Sequence, residues 1–353
     1  MNSRHLIDLN DFSQQDLDTI IKMAKEIRQW PDYYYGACQG KIMSTLFYEP
    51  STRTQMSFQT AMLRLGGRII GFDNPLNSSV AKGENIKDTI KVMGGYSDII
   101  VMRSPVEGAS KAAALFADRP LINAGDGGHL HPTQTLTDMV TLMGEKGTLT
   151  GLCIGLCGDL KNGRTVHSLV KTLCKMGNRF VLISTPQLTL PHYLKELMDS
   201  HGCPYQEVAS LEEAMPLLDV LYMTRIQKER FASAEEYESQ KNVYILDAPK
   251  LLRARQDLTI LHPLPRVDEI AIEVDDDPRA KYFEQAAYGV YARMALVIHM
   301  LQNDNKRGIP LSEPQEGARC QNPRCVTQNE GYLPKTFARV GQKLVCDFCE
   351  HSL

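Results

Sequence analysis

Three hydroxyls and a guanidinium crowd into one tetrad, Ser51-Thr52-Arg53-Thr54, between a short apolar run and a segment of helical period. A buried strand that turns into a helix leaves the first helical N–H groups unpaired, with the positive end of the helix dipole behind them. Phosphate suits that position, and side-chain donors can replace a glycine-rich loop around it. The competing reading is an ordinary helix N-cap followed by a surface arginine.

Other polar residues stand where strands should end. Lys82, in Ser78-Ser79-Val80-Ala81-Lys82-Gly83-Glu84, can reach an anion or simply be solvated, and Arg103 follows a buried-strand pattern. In Ala124-Gly125-Asp126-Gly127-Gly128-His129-Leu130-His131-Pro132-Thr133-Gln134, glycines let backbone approach a ligand, and Pro132 fits a first helical turn. His131 and Gln134 share one side of that turn, where an imidazole can donate to a carbonyl oxygen. Farther on, Arg164 and Arg225 each offer a planar fork that matches one carboxylate, which suits a dicarboxylate. The loop His262-Pro263-Leu264-Pro265-Arg266 is stiffened by two prolines that leave carbonyls to face a ligand.

A second chemistry sits near the other end. Cys320, Cys325, Cys346 and Cys349 have the spacing C-x4-C-x20-C-x2-C. So short a segment buries too little apolar surface to fold alone, and four thiolates in two pairs suit a closed, structural, tetrahedral zinc site. Two disulfides are the alternative. The remaining cysteines, Cys38, Cys153, Cys157, Cys174 and Cys203, read as reduced thiols.

These residues need elements to hold them. Apolar runs at 41–47, 68–72, 98–102 and 120–124 read as strands, followed by an amphipathic helix on Leu136, Met139, Val140 and Met143. A second set of strands is expected at 152–157, 180–184, 220–223, 243–246 and 259–261. A long helix then runs from about residue 278 along Phe283, Ala287, Val290, Met294, Val297 and Leu301, long enough to return to the first domain. The alternation predicts an α/β fold: two doubly wound parallel-sheet domains joined by helices, plus a small C-terminal four-cysteine zinc domain. The expected boundaries are 1–134 with 285–307, then 135–284, a linker at 308–317 carrying Pro310 and Pro314, and the zinc-binding domain at 318–353.

At 353 residues the chain is long for one core, and 43% hydrophobic content is that of a globular protein. A formal charge of −3 without like-charge blocks gives no basic footprint for nucleic acid. The first ten residues read as neither signal peptide nor membrane segment, so a cytoplasmic location is expected.

Together the motifs resemble the aspartate carbamoyltransferase family over residues 1–307, through the 51–54 tetrad, Lys82-Gly83-Glu84, His131-Pro132-Thr133-Gln134, Arg164, Thr224-Arg225-Ile226-Gln227 and the 262–266 loop. The resemblance implies transfer of a carbamoyl group from carbamoyl phosphate to the amine of L-aspartate, giving N-carbamoyl-L-aspartate and phosphate in de novo pyrimidine (UMP) biosynthesis, with no cofactor for catalysis. Residues 1–134 with 285–307 would then bind carbamoyl phosphate, and 135–284 aspartate. Ser51, Thr52, Arg53 and Thr54 would hold the phosphate, joined by Ser78 and Lys82 of a neighbouring subunit in a homotrimer or multiple of trimers. Thr54, Arg103 and His131 would bind the carbonyl oxygen, and Gln134 with the carbonyls of Leu264 and Pro265 the carbamoyl nitrogen. Lys82, Arg164, Arg225 and Gln227 would bind aspartate. Arg53, Thr54, Lys82, Arg103 and His131 are the implied catalytic group, closure of the two lobes part of the mechanism, and the proton acceptor either His131 or the departing phosphate.

Ornithine carbamoyltransferases characteristically have a cysteine in the loop that reads His262-Pro263-Leu264-Pro265 here, which favours aspartate. The cysteine segment resembles the zinc domain of the regulatory chain found with some bacterial members, fused here to the catalytic part. That chain's nucleotide-binding domain has no counterpart, so no response to CTP or ATP is expected from this chain alone. The zinc domain is expected to rest on the catalytic lobes, its own or a neighbour's, and to steady the assembly. Ornithine or another carbamoyl acceptor, a catalytically silent scaffold, and a zinc ribbon that contacts RNA or protein are the alternatives. Against the last, Lys335, Arg339 and Lys343 are offset by Asp347 and Glu350.

Overall fold

A computed structural model describes residues 4–226, 233, 235, 237–238, 243–304, 307–315, 317–341 and 343–353. Four strands, Ile42–Phe47 (β1), Arg68–Phe72 (β2), Ile99–Ser104 (β3) and Leu121–Asp126 (β4), form a parallel sheet in the order β2-β1-β3-β4. The central strands are buried along nearly their whole length, as a sheet covered on both faces requires, whereas β2 is a half-exposed edge. The helices Gln14–Gln29 (α1), Thr52–Arg64 (α2), Ile86–Tyr96 (α3) and Ala109–Ala114 (α4) belong to the same unit, which comprises Met1–Thr133 and Val290–Leu353.

The second unit, Gln134–Gly289, holds Cys153–Cys157 (β5), Arg179–Ile183 (β6), Tyr205–Val208 (β7), Val220–Met223 (β8) and Thr259–Leu261 (β9), all parallel in the order β7-β6-β5-β8-β9. The chain passes between units along Pro132–Lys146 (α5) and again along the helix Tyr282–Gln302, whose later part lies in the first unit. There Arg293 stacks on the Phe58 ring, with its guanidinium carbon 5.1 Å from the centroid, and His299 pairs with Asp16 at 3.1 Å.

Strand order reverses between β1 and β3 in one sheet and between β5 and β8 in the other. Successive crossovers there leave on opposite faces, so the carboxyl ends of those strands open a crevice suited to ligands. The 51–54 tetrad follows β1 and Arg103 lies in β3, one residue before its carboxyl end; the Arg164 stretch and Thr224-Arg225 follow β5 and β8.

The two-sheet α/β architecture is the one expected, with two corrections. Residues 243–246 form no strand among the described residues; Leu246 makes only an isolated bridge to Ile270. The fifth strand is instead β7, Tyr-Gln-Glu-Val, an edge strand whose outward polar residues hide the apolar signal. The cysteine segment folds around an antiparallel hairpin, Phe337–Val340 (β10) and Lys343–Cys346 (β11). Its Cys320, Cys325, Val326, Leu333, Phe337 and Phe348 join one core with Ile90, Ala109, Ala112 and Ala113 of the first unit. The alanines of α4 let the module's backbone approach closely, and at Gly108 (φ 82) a Cβ would lie 2.7 Å from the Phe348 carbonyl oxygen. Residues 309–315 are tied in as well: Ser312 N–H donates to Asp347 at 2.7 Å and Gln315 N–H to the Lys335 carbonyl at 3.1 Å.

Candidate active site and metal centre

In the first unit, α2 begins at Thr52 with Ser51 in the N-cap position but without a side-chain capping hydrogen bond. Ser13 and Asn85, by contrast, each cap their helices through the side chain. Ser51 thus holds the N-cap position without spending its hydroxyl on the helix, and the first turn of α2 keeps its N–H groups directed at the β1–α2 turn. Thr54 is buried, Ser51 half-buried, and Thr52 and Arg53 exposed. Although Arg53 is exposed, the protein atoms around its guanidinium desolvate the cation enough to lower its pKa.

Arg103, at the end of β3, is buried with its guanidinium held on three sides. Nη2 pairs with Glu49 Oε1 at 2.8 Å, and Nη1 lies 3.4 Å from the Ala124 carbonyl and 3.5 Å from His131 Nε2. A guanidinium only donates, so His131 meets it with the lone pair of Nε2, and the ring proton sits on Nδ1. Arg103 and His131 are thus brought together. Ser78 donates to the Pro75 carbonyl at 2.8 Å, and Lys82 is exposed at the end of a short 3-10 turn closed by Gly83.

In the second unit, Gln134 Nε2 donates at 2.8 Å to Oδ1 of the fully buried Asp138, one turn along α5. Gln285 Nε2 donates to the same oxygen at 2.6 Å, and Tyr222 OH to Oδ2 at 3.0 Å. Through its own Oε1, Gln285 accepts the His262 N–H at 2.9 Å. Asp138 thereby joins Gln134 to the loop that carries Leu264 and Pro265. In that loop Leu264 N–H donates to His262 Nδ1 at 2.7 Å, so the ring's Nε2–H faces Glu269 Oε1, also at 2.7 Å. Burial alone would raise the Glu269 pKa; the hydrogen bonds it receives from the His262 ring and the Val267 N–H outweigh that and hold it low. Arg266 is fixed by Asp275 and by the faces of Tyr282 and Phe283.

Arg164 opens the helix Arg164–Leu173, behind the buried Asp159, which accepts Asn162 N–H at 2.9 Å. Gly158 (φ 114) lets this turn approach Thr224: a Cβ there would sit 2.4 Å from the Thr224 carbonyl oxygen. Arg164 and Arg225 are both half-buried. Gln227 lies outside the described residues.

Sequence reasoning missed Glu49, Asp138, Glu269 and Gln285. Glu49 could have been found as the lone acid beside the basic tetrad, and Asp138 as the acid four residues after Gln134; Gln285 carried no local signal.

Cys320, Cys325, Cys346 and Cys349 converge with all four Sγ atoms within 4.8 Å of one another. Cys320 and Cys349 are 3.5 Å apart and Cys325 and Cys346 3.9 Å, and all are free thiols. A zinc ion with four sulfurs at ~2.3 Å in a tetrahedron spaces them by about 3.8 Å, so the residues fit that ion.

Three family models match the chain. Residues 4–144 match the carbamoyl-P binding domain and 150–300 the Asp/Orn binding domain of aspartate/ornithine carbamoyltransferase, and 316–353 match the metal binding domain of the aspartate carbamoyltransferase regulatory chain. The aspartate carbamoyltransferase catalytic subunits of Clostridium perfringens and Clostridium botulinum are each 54% identical over 303 residues, spanning 85% of this chain and 99% of theirs. Among solved structures, the catalytic subunit of M. jannaschii aspartate transcarbamoylase is 44% identical with a TM-score of 0.80, covering 86% of this chain and 99% of that one. The Trypanosoma cruzi aspartate transcarbamoylase in complex with N-(phosphonacetyl)-L-aspartic acid is 39% identical with a TM-score of 0.78, covering 83% and 94%.

Proposed function

The chain belongs to the aspartate/ornithine carbamoyltransferase family, and from that premise we infer that it transfers the carbamoyl group of carbamoyl phosphate to L-aspartate. The observation that carries the reading is the Arg103–His131 pair anchored by Glu49 beside the uncapped start of α2, within the segment that matches a carbamoyl-P binding domain. The aspartate amine attacks the carbamoyl carbon, the C–O bond to phosphate breaks, and phosphate departs with the electron pair. Ser51, Thr52, Arg53 and Thr54 hold the phosphate. Thr54, Arg103 and the Nδ1–H of His131 stabilise the oxyanion, and each such donor is worth about 3 kcal/mol in comparable acyl-transfer sites. With His131 Nε2 facing Arg103, the amine proton goes to the departing phosphate.

Gln134 and the Leu264 and Pro265 carbonyls fix the carbamoyl nitrogen, and Arg164, Arg225 and Gln227 take the aspartate carboxylates. Ser78 and Lys82 act on a neighbouring subunit's substrates in a trimer, with Lys82 reaching both. The four cysteines hold a structural zinc. Among the described residues, no helix is long and apolar enough to cross a membrane.

Initial rates of phosphate release with carbamoyl phosphate and either L-aspartate or L-ornithine test the reading. Turnover with aspartate is expected; turnover with ornithine alone would move the chain to the sister activity, and none with either would leave a silent scaffold.

A further inference from the structure

The metal module meets the first unit at three places, and each adjoins a residue of the carbamoyl phosphate half-site. Between Cys320 and Cys325, Asn322 Nδ2 donates to Glu107 Oε2 at 2.6 Å, and Arg324 Nε lies 3.2 Å from Glu107 Oε1. The backbones pair here too: Glu107 N–H donates to the Arg324 carbonyl at 3.0 Å, and Val326 N–H to the Glu107 carbonyl at 2.9 Å. Glu107 and Asn322 are only 6% and 7% exposed, and Glu107 stands four residues beyond Arg103.

Between Cys346 and Cys349, Phe348 seats against Gly108, and Glu350, directly after Cys349, comes within 3.4 Å of His129 Nε2. Asp126 ties these loops together by accepting Gly108 N–H at 3.0 Å, Leu130 N–H at 3.0 Å and, at 3.1 Å, the His129 ring; His131 follows directly. In the third place, Tyr332 OH accepts Lys87 N–H at 3.2 Å and Glu330 Oε1 faces Ile86 N–H at 3.5 Å, where α3 begins just after the Ser78–Lys82 loop.

We propose that the metal module is a brace, acting within its own chain, for the loops that carry Arg103 and His131, with Glu107 as the positioning residue and the metal as the group that keeps both cysteine turns in docking register. The reading rests on the carbamoyl phosphate assignment above. The module carries too little core of its own, so its docked form depends on the four thiolates being gathered. The clostridial and M. jannaschii chains align with 99% of their own length to 85–86% of this one and are matched without this segment, so the brace tunes the site and does not create it. A change in Arg103 and His131 positioning alters the hold on the phosphate-bearing substrate first.

The test uses the full chain loaded with zinc. Asn322→Ala and Arg324→Ala remove docking contacts without touching a thiolate, and the exposed Arg339→Ala is the control. Metal content, KM for each substrate and amide hydrogen exchange over residues 103–108 and 126–131 are measured in each. The brace predicts unchanged metal content, faster exchange in both loops and KM for carbamoyl phosphate raised about tenfold in Asn322→Ala, within the usual range of coupling between sites, and less in Arg324→Ala. KM for aspartate moves less than twofold, and chelation of the parent protein reproduces the loop exchange pattern. If Asn322→Ala loses metal, Arg324→Ala decides alone. Loop exchange and KM for carbamoyl phosphate both unchanged in a metal-loaded docking variant would overturn the brace. The exchange readout does not depend on turnover, so failure of the carbamoyl transfer reading shows separately, as absent activity in the parent protein.

Discussion

Asp138 offers the sharpest perturbation because three donors, the half-buried Gln134 Nε2 and the buried Gln285 Nε2 and Tyr222 OH, share its two oxygens at 2.6–3.0 Å. Asn keeps the shape. Its amide oxygen can take the place of Oδ1 and serve both glutamines, while its NH2 faces the Tyr222 hydroxyl, which turns to accept. Only charge assistance is lost, so Asp138→Asn should cost about 1.5 kcal/mol, the low end for a hydrogen bond to a charged group. Ala removes the acceptor altogether, and breaking a buried charged network costs about 3–5 kcal/mol. Denaturant unfolding of both variants gives the two values. Gln134 and the His262–Arg266 loop lose their shared anchor in Ala but not in Asn, so kcat/KM should fall at least about tenfold further in Ala, each tenfold being ~1.4 kcal/mol of transition-state binding. Asp138→Ala that lost less than about 1 kcal/mol, against that 3–5 expected, and kept parental turnover would refute the network.

Glu49→Gln keeps a hydrogen-bond acceptor but removes the charge that holds Arg103, so kcat should drop about tenfold with little change in melting, because the lost interaction matters most when the oxyanion forms. Equal kcat in the variant would show that Ala124 and His131 suffice to place the guanidinium. His5 is buried, and its pKa is lowered to about 3 by desolvation and then by Arg4, with Asp304 opposing. A base whose folded pKa lies below its unfolded 6.5 contributes fully above pH 6.5 and loses that contribution as pH falls toward 3, about 2 kcal/mol by pH 5. His5→Gln should flatten that limb of stability against pH, and an unchanged slope in denaturant titrations at pH 7 and pH 5 would count against it.

The readable parts of this molecule are those whose signal is local. The strands at 42–47, 68–72 and 220–223 stand out as short apolar runs, and Arg103 and His131 stand out because polar residues directly after such runs face the ligand-binding edge of a parallel sheet. Four cysteines in two close pairs announce a metal. What the sequence hides is non-local or diluted. Asp138 and Gln285 are 147 positions apart and Glu107 and Asn322 are 215 apart, and no periodicity links them. The β7 edge strand escapes because its outward residues are polar, and residues 243–246 mislead because an apolar stretch can be buried beside a sheet through a single bridge. The competition between anion cradle and N-cap at Ser51 is open in the sequence, since both use the same residues; only the structure shows that Ser51 holds the N-cap position with no side-chain bond to the helix.

Carbamoyl transfer is tested most directly by mixing the protein with carbamoyl phosphate labelled with carbon-13 and unlabelled L-aspartate, and following the labelled carbon by NMR. The expected result is conversion of the carbamoyl phosphate signal into that of N-carbamoyl-L-aspartate, with phosphate formed in equal amount and both lost in Arg103→Ala. Phosphate released without a labelled ureido product, or product formation unaffected by Arg103→Ala, would contradict it.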